Sequence, residues 1–104
     1  VAPETLQAWL GPAIGPDSFE VGPEVRDAFI KHNPEAAAAF ETEGARPGHF
    51  MADIYALATL RLNHLGVSSV TGGGLCTVQD SDRFFSYRRD GQTGRMATLI
   101  WLTN

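Results

Sequence analysis

The chain has 104 residues, with eight Lys and Arg against twelve Asp and Glu, which gives a formal charge of −4. This length fits about one domain, and a hydrophobic content of 43% is too high for a disordered chain. The acidic balance excludes a nucleic-acid binder driven by bulk charge, and a single cysteine excludes a disulfide framework. No apolar run approaches the ~18 residues that cross a membrane, and no leader is visible, so we expect a cytoplasmic protein.

The first half of the chain predicts a strand, a helix and a short second helix. The apolar run 6–10 ends at Gly11-Pro12, which is typical of a buried strand entering a turn. Pro23 begins a segment with apolar residues at helical spacing, so a helix is predicted over 22–32. Asn33 then caps a short helix over 36–40. Residues 41–48 are polar and rich in Gly and Pro, which favours an exposed loop.

The second half predicts a long helix followed by strands. The helix begins near Phe50, has Asp53 in its first turn and ends at Gly66, which is typical of a C-terminal cap. Strands are predicted over 67–70, 83–87 and 96–102, with a flexible turn at 72–74. Together these elements predict an α+β fold.

The run 83–95 carries four of the eight cationic residues against a single acid, so it is a positive island on an acidic chain. Such an island suggests a small anionic ligand or a network of buried ion pairs. A guanidinium binds phosphate through two parallel hydrogen bonds, and neighbouring aromatic side chains stack on flat rings. The alternative is a structural strand in which Arg88 or Arg89 pairs with Asp90, and the residues alone leave both interpretations open.

The other reactive side chains form no recognisable catalytic set. A lone cysteine such as Cys76 is more often a small buried hydrophobic residue than a nucleophile. His32, His49 and His64 have no spacing that matches a zinc motif, so structural or solvated roles are expected for all three.

Several ordered blocks of the chain resemble the YfiH family, also called the laccase-domain or multicopper polyphenol oxidase family. The blocks are AWLGPAIGP at 8–16, ADI at 52–54, LGV at 65–67, CT at 76–77, FFSYRRDG at 84–91, TGRMA at 93–97 and IWL at 100–102. The resemblance covers essentially the whole chain. It implies a three-layer α/β architecture with a mixed β-sheet and flanking helices.

The resemblance also implies an activity and a metal. Family members are described as purine nucleoside phosphorylases that act on adenosine, inosine and methylthioadenosine, and adenosine deamination is described as an additional activity. Copper-dependent oxidation of phenols and cytoplasmic editing of peptidoglycan precursors are the alternatives. The metal, zinc or alternatively copper, is bound by two histidines and one cysteine that precede the segment matching 11–15. We therefore expect residues 1–104 to be the C-terminal half of one domain, inactive alone, with the ligands in the absent N-terminal half.

The expected partners are a purine nucleoside, phosphate and the N-terminal half, with neither nucleic acid nor membrane. Phosphorolysis requires phosphate held in line with the ribose carbon and stabilisation of the departing purine. The expected substrate-binding residues are Ser86, Arg88, Arg89 and Arg95, with Phe84, Phe85 or Tyr87 as a wall for the purine. Strand alternation would place Ser86 and Arg88 on the face opposite Phe85 and Tyr87, and we expect the polar face to line the site.

Overall fold

The structure is a computed structural model that describes residues 2–41 and 46–100. It contains five strands and three α-helices among the described residues, with short 3₁₀ helices at Pro3–Thr5 and Pro34–Ala39. In chain order they are β1 (Gln7–Leu10), β2 (Glu20–Val21), α1 (Pro23–His32), β3 (Phe40–Glu41), β4 (Phe50–Ala52), α2 (Ile54–His64), β5 (Ser69–Gly72) and α3 (Tyr87–Asp90).

The described strands form one parallel pair and one antiparallel sheet. β1 and β5 are parallel, in a register that runs from Gln7 opposite Ser69 to Leu10 opposite Gly72. β4 lies between β2 and β3 and is antiparallel to both. A parallel pair requires a long crossover connection, and here that connection contains α1, the antiparallel sheet and α2. The predicted α+β class is confirmed.

The core lies where the antiparallel sheet meets α2 and the second 3₁₀ helix. Its buried members come from each of these elements: Val21, Ala36, Ala39, Phe40, Ala52 and Leu57. The ring of Phe29 on α1 lies 6.0 Å from that of Phe40, which extends the cluster toward the outer helix. The parallel pair lies outside this core, and Trp9 on β1 remains 59% exposed.

The surface area of the chain is large for its mass. The accessible surface is 7579 Å², whereas a compact monomer of this mass exposes about 5,700 Å². The radius of gyration is 15.4 Å, compared with about 13 Å for a compact domain of this length. None of the helices among the described residues is long and apolar enough to span a bilayer.

The predicted elements before residue 70 are mostly confirmed. The strand at 6–10 and the helix at 22–32 are present, and Asn33 caps the next turn by accepting a hydrogen bond from the Glu35 N–H at 3.1 Å. The predicted helix start at Phe50 is wrong. Residues 50–52 pair with two strands, and Asp53 caps α2 by accepting from the Ala56 N–H at 3.0 Å. The strand predicted at 67–70 lies two residues later.

Two predicted strands in the last third are wrong. Within 83–87, the Ser86 hydroxyl accepts a hydrogen bond from the Arg89 N–H at 3.2 Å, so the chain turns into α3 instead of continuing extended. The alternation of faces expected there is lost with the strand. Residues 96–100 have no regular secondary structure, and 101–102 lie outside the described residues. Of the predicted loop at 41–48, Glu41 belongs to β3 and 42–45 are not described.

Candidate functional site

The loops that follow β1 and β5 begin at the same end of the parallel pair, because the C-terminal ends of parallel strands lie side by side. Ligands of α/β sheets bind at this edge. The loop after β1 is Gly11–Pro16, and the loop after β5 is Gly73–Cys76. The N–H of Thr77, the residue after the second loop, donates to the Ala13 carbonyl of the first loop at 2.9 Å, so the two segments are joined by a backbone hydrogen bond.

The turn after β5 requires glycine. Gly72, Gly73 and Gly74 have φ values of +92°, +85° and +79°, which L-residues with a side chain rarely adopt. A Cβ on Gly72 would lie 2.4 Å from the Leu10 carbonyl oxygen. The close approach of β1 and β5 therefore depends on the missing side chain at this position.

Cys76, in the second loop, contacts the first loop through its sulfur. The Gly15 N–H donates to Sγ at 3.1 Å, and Ser18 Oγ lies 3.5 Å from it. Burial raises the pKa of the thiol, but hydrogen bonds with Ser18 and with the backbone of Gln79, Gly15 and Val78 outweigh this, so the pKa lies below its ordinary value of 9.0. The sulfur thus accepts from the Gly15 N–H and donates to Ser18 Oγ, so Cys76 is hydrogen-bonded and is more than the small hydrophobic residue that a lone cysteine most often is.

The Arg89 guanidinium is fully committed to acceptors of this chain. Nη1 donates to the carbonyls of Thr77 and Val78 at 2.8 and 3.1 Å, and Nη2 to that of Phe84 at 2.9 Å. Nε and Nη2 also donate to the Asp90 carboxylate at 3.0 and 2.9 Å. A guanidinium has five N–H donors, and all five are used. The same contact with Arg89 lowers the pKa of Asp90 below its ordinary value.

Ser86 and Arg88 flank this ion pair in different environments. Ser86 is buried, and its hydroxyl is occupied as the cap of α3. Arg88 is exposed; its guanidinium lies 5.3 Å from the Phe19 ring centroid, and Nη1 donates to the Glu20 carbonyl at 3.0 Å. Arg88 therefore connects α3 to β2 while most of its donors stay unused by the described residues.

Arg95 lines a cleft with aromatic side chains. The cleft has a volume of about 530 Å³, and its wall includes Pro12, Phe85, Tyr87 and Arg95. Its size falls within the ~300–1,000 Å³ range of ligand sites. Tyr87 is 70% exposed and Phe85 is 52% exposed. Arg95 Nη1 donates to two backbone carbonyls, that of Thr93 at 2.6 Å and that of Gly94 at 3.5 Å.

The structure distributes the four predicted site residues unevenly. Arg95 lines the cleft, and Arg89 lies at a neighbouring hollow of about 500 Å³. The Ser86 hydroxyl caps the N-terminus of α3, and the Arg88 guanidinium is directed toward β2. Sequence reasoning missed Tyr55, whose hydroxyl contacts both loops. A polar aromatic residue among the apolar residues of α2 was the available signal.

The histidines lie elsewhere. His32 and His64 line a crevice of about 170 Å³ between α1 and α2, where His64 Nε2 is 2.9 Å from Asn33 Nδ2. His49 contacts the Pro47 carbonyl in the turn before β4. Residues 2–41 and 46–100 bring no three His, Cys, Asp or Glu side chains together as ligands of a metal ion. On this observation these residues do not by themselves fit a zinc or copper ion.

Comparison with known proteins identifies the family. The family described as multi-copper polyphenol oxidoreductase laccase matches residues 1–103. The chain belongs to this family, the YfiH laccase-domain family. It is 59% identical to a protein of Pseudomonas aeruginosa named purine nucleoside phosphorylase. The alignment of 99 residues covers 95% of this chain and 40% of that protein. It is 54% identical to the Escherichia coli purine nucleoside phosphorylase YfiH, over 96% of this chain and 40% of that protein.

Solved structures of the YfiH family show the same fold. A DUF152 protein of Neisseria meningitidis superimposes with a TM-score of 0.81 at 57% identity, covering 88% of this chain and 37% of that one. YlmD of Geobacillus stearothermophilus gives a TM-score of 0.77 at 31% identity, over 88% of this chain and 34% of that one. The chain thus spans about 40% of the length of the curated YfiH-family relatives it matches.

Proposed function

We propose that the protein to which this chain belongs is a purine nucleoside phosphorylase, and that this chain supplies a wall of its substrate site. The observation that carries the proposal is the cleft in which exposed Phe85 and Tyr87 stand beside Arg95. Flat aromatic rings stack on a purine, and a guanidinium binds phosphate. The names of relatives at 54% and 59% identity agree with this chemistry.

Phosphorolysis joins a phosphate oxygen to C1′ of the ribose as the bond from C1′ to the purine nitrogen breaks. The products are ribose 1-phosphate and the free base. Phosphate must be held in line with that bond, and a site that does so lowers the barrier mainly by positioning and charge stabilisation. Arg95 suits this role because it lines the cleft, is exposed and has unused donors. Arg88 is also exposed with unused donors, but it lies outside the cleft lining, so its contact with phosphate requires its side chain to leave the Glu20 carbonyl.

Ser86 and Arg89 serve the same site indirectly in this proposal. All donors of Arg89 are occupied, and the hydroxyl of Ser86 is occupied by the Arg89 N–H. Arg89 cannot bind phosphate without losing a contact that shapes α3, and Ser86 is buried and is not among the residues that line the cleft. We therefore assign them to positioning Arg88 and Tyr87, and assign direct phosphate contact to Arg88 and Arg95.

The test is the activity of the whole protein on adenosine and phosphate, with ribose 1-phosphate as the measured product. A hydrogen bond from a charged group contributes about 1.5–3 kcal/mol, so Arg88→Ala and Arg95→Ala are each expected to lower kcat/KM at least about tenfold. Lys31→Ala, on the exposed end of α1, is the matched control for loss of a surface cation. An unchanged rate in both arginine variants removes the site assignment.

We also propose that the remainder of the whole protein packs on the parallel pair and on residues 96–100. The excess surface of the chain supports this, as do the exposed side chains of Trp9, Leu99 and Ile100. The chain alone is then inactive and prone to aggregate, because unpaired apolar strands associate. Expression of residues 1–104 followed by size-exclusion chromatography tests this, and a soluble monomer that unfolds cooperatively contradicts it.

The metal belongs to the same proposal. Since the described residues form no ligand set, zinc, or alternatively copper, is expected to be held by side chains outside this chain. Metal analysis of the whole protein against the isolated chain tests the assignment. One zinc per whole protein and none in the chain is the expected result, and stoichiometric zinc on the chain refutes it.

A polyphenol oxidase is the second candidate, favoured by the description of the matching family. Oxidases of this class need several copper ions with many histidine ligands. Several coppers per protein together with turnover of a phenol, and no release of ribose 1-phosphate, would favour this candidate. Turnover of a peptidoglycan precursor without nucleoside turnover would instead favour the editing hydrolase.

A further inference from the structure

We infer that Tyr55 is a positioning residue that fixes the two walls of the substrate cleft relative to each other. The effect on catalysis rests on the proposed phosphorylase function; the effect on the loops does not. Tyr55 lies in the first turn of α2 and is half-buried. Along the sequence it is 42 residues after Ala13 in the first loop and 20 residues before Leu75 in the second.

One hydroxyl joins both loops. Tyr55 Oη accepts a hydrogen bond from the Ala13 N–H at 2.8 Å and donates to the Leu75 carbonyl at 2.8 Å, with the Ala13 carbonyl 3.4 Å away. A phenol can donate and accept at the same time. No aliphatic or phenylalanine side chain could make this bridge.

The bridge reaches the cleft on both sides. Ala13 is adjacent to Pro12, which lines the cleft. Leu75 leads to Thr77, whose N–H bonds to Ala13 and whose carbonyl accepts from Arg89, the residue that holds α3. The wall that carries Pro12 is therefore connected to the wall that carries Phe85 and Tyr87 through the Tyr55 hydroxyl, the backbone from Leu75 to Thr77 and the Arg89 guanidinium.

The aromatic ring has a separate role. A Cβ built on Gly73 would lie 3.4 Å from the Tyr55 ring, so the ring lies next to the glycine turn and limits the space there. Tyr55→Phe keeps the ring and removes only the hydroxyl. The variant thus isolates the bridge from the packing of α2.

The experiment measures amide hydrogen exchange and steady-state kinetics on the whole protein carrying Tyr55→Phe. Exchange is expected to accelerate at least about tenfold in residues 11–15 and 73–77 and to stay unchanged within α2. Because small displacements of reacting groups slow the chemical step, kcat for adenosine phosphorolysis is expected to fall about tenfold while KM changes less. Thr59→Val is the matched control, since its hydroxyl bonds only to the Tyr55 carbonyl within the same helix.

The outcomes separate the two proposals. Faster loop exchange together with a lower kcat supports the inference. Unchanged loop exchange overturns it, and so does faster exchange with unchanged kcat. If the wild-type protein releases no ribose 1-phosphate, the phosphorylase proposal fails, and loop exchange alone then decides whether Tyr55 fixes the loops.

Discussion

The most direct test of the parallel pair is an alanine series through its glycine turn. In Gly74→Ala the new Cβ meets no atom within 4 Å, so the variant carries only the penalty of a left-handed φ. That penalty is about 1–2 kcal/mol, and the reduced freedom of the unfolded chain offsets about 0.4–1 kcal/mol of it. The expected net loss of unfolding free energy is about 1 kcal/mol.

Gly72→Ala adds a clash to the same backbone penalty. Its Cβ would lie 2.4 Å from the Leu10 carbonyl oxygen and 2.8 Å from the Leu10 nitrogen, both of which belong to the backbone of β1. Overpacking of this kind costs about 1–3 kcal/mol, so the expected total is about 2–4 kcal/mol. The clash acts where β1 and β5 enter the two loops, so the loops also separate.

Thermal unfolding of the whole protein measures the difference. Relatives are about 250 residues long, since 100 aligned residues are 40% of the Escherichia coli protein. At this size 1 kcal/mol shifts Tm by about 2–4 °C. We expect Gly74→Ala to lose about 2–4 °C and Gly72→Ala about 4–16 °C. Equal losses in the two variants would refute the argument that contact with β1 demands glycine at position 72.

Three further predictions follow from single contacts. Ser86→Ala removes the cap of α3 and is expected to lower the unfolding free energy by about 1 kcal/mol, whereas Ser86→Thr keeps the hydroxyl and should lose less. Equal decreases in Tm for the two variants would contradict the capping role. The pKa of Asp90 is lowered by its contact with Arg89, so the ion pair stabilises the fold above pH 3.8, and this stabilisation is lost as the pH falls through the lower folded value. The difference in Tm between wild type and Asp90→Asn should therefore narrow as the pH is lowered below 3.8, and a difference that does not change with pH contradicts this. Alkylation of Cys76, followed by peptide mass, should reach half its maximal rate below pH 9.0, and Ser18→Ala should move that midpoint upward; an unmoved midpoint excludes the Ser18 contact as a cause.

The sequence allowed good prediction where local signals agreed with the tertiary contacts. Pro23 at a helix start and Asn33 at a cap act through neighbouring backbone groups, so both were readable from the sequence. The start of α2 was misplaced because Phe50, at helical spacing from Ile54, belongs instead to a strand held by partners at Val21 and Phe40–Glu41. Pairing of this kind depends on distant residues and has no local signature.

The candidate site illustrates the same limit. The positive island at 83–95 was visible as composition, but the roles of adjacent arginines were not. Arg88 and Arg89 differ because backbone carbonyls of Thr77, Val78 and Phe84 surround only the second guanidinium. Backbone acceptors are present at every residue, so no sequence pattern predicts which side chain they will occupy.

The absence of the predicted strand over the described residues 96–100 has a physical cause that bears on the proposed packing. A run of apolar residues favours a strand, but a strand forms only when a neighbour accepts and donates its backbone hydrogen bonds. Among the described residues no strand pairs with 96–100, and Leu99 and Ile100 are 77% and 97% exposed. Side chains of this kind are the ones that folding removes from water. The apolar residues in 96–100 therefore require an apolar surface against which their side chains can be buried. Under the proposed packing, the rest of the whole protein supplies both that surface and the strand that pairs with this backbone.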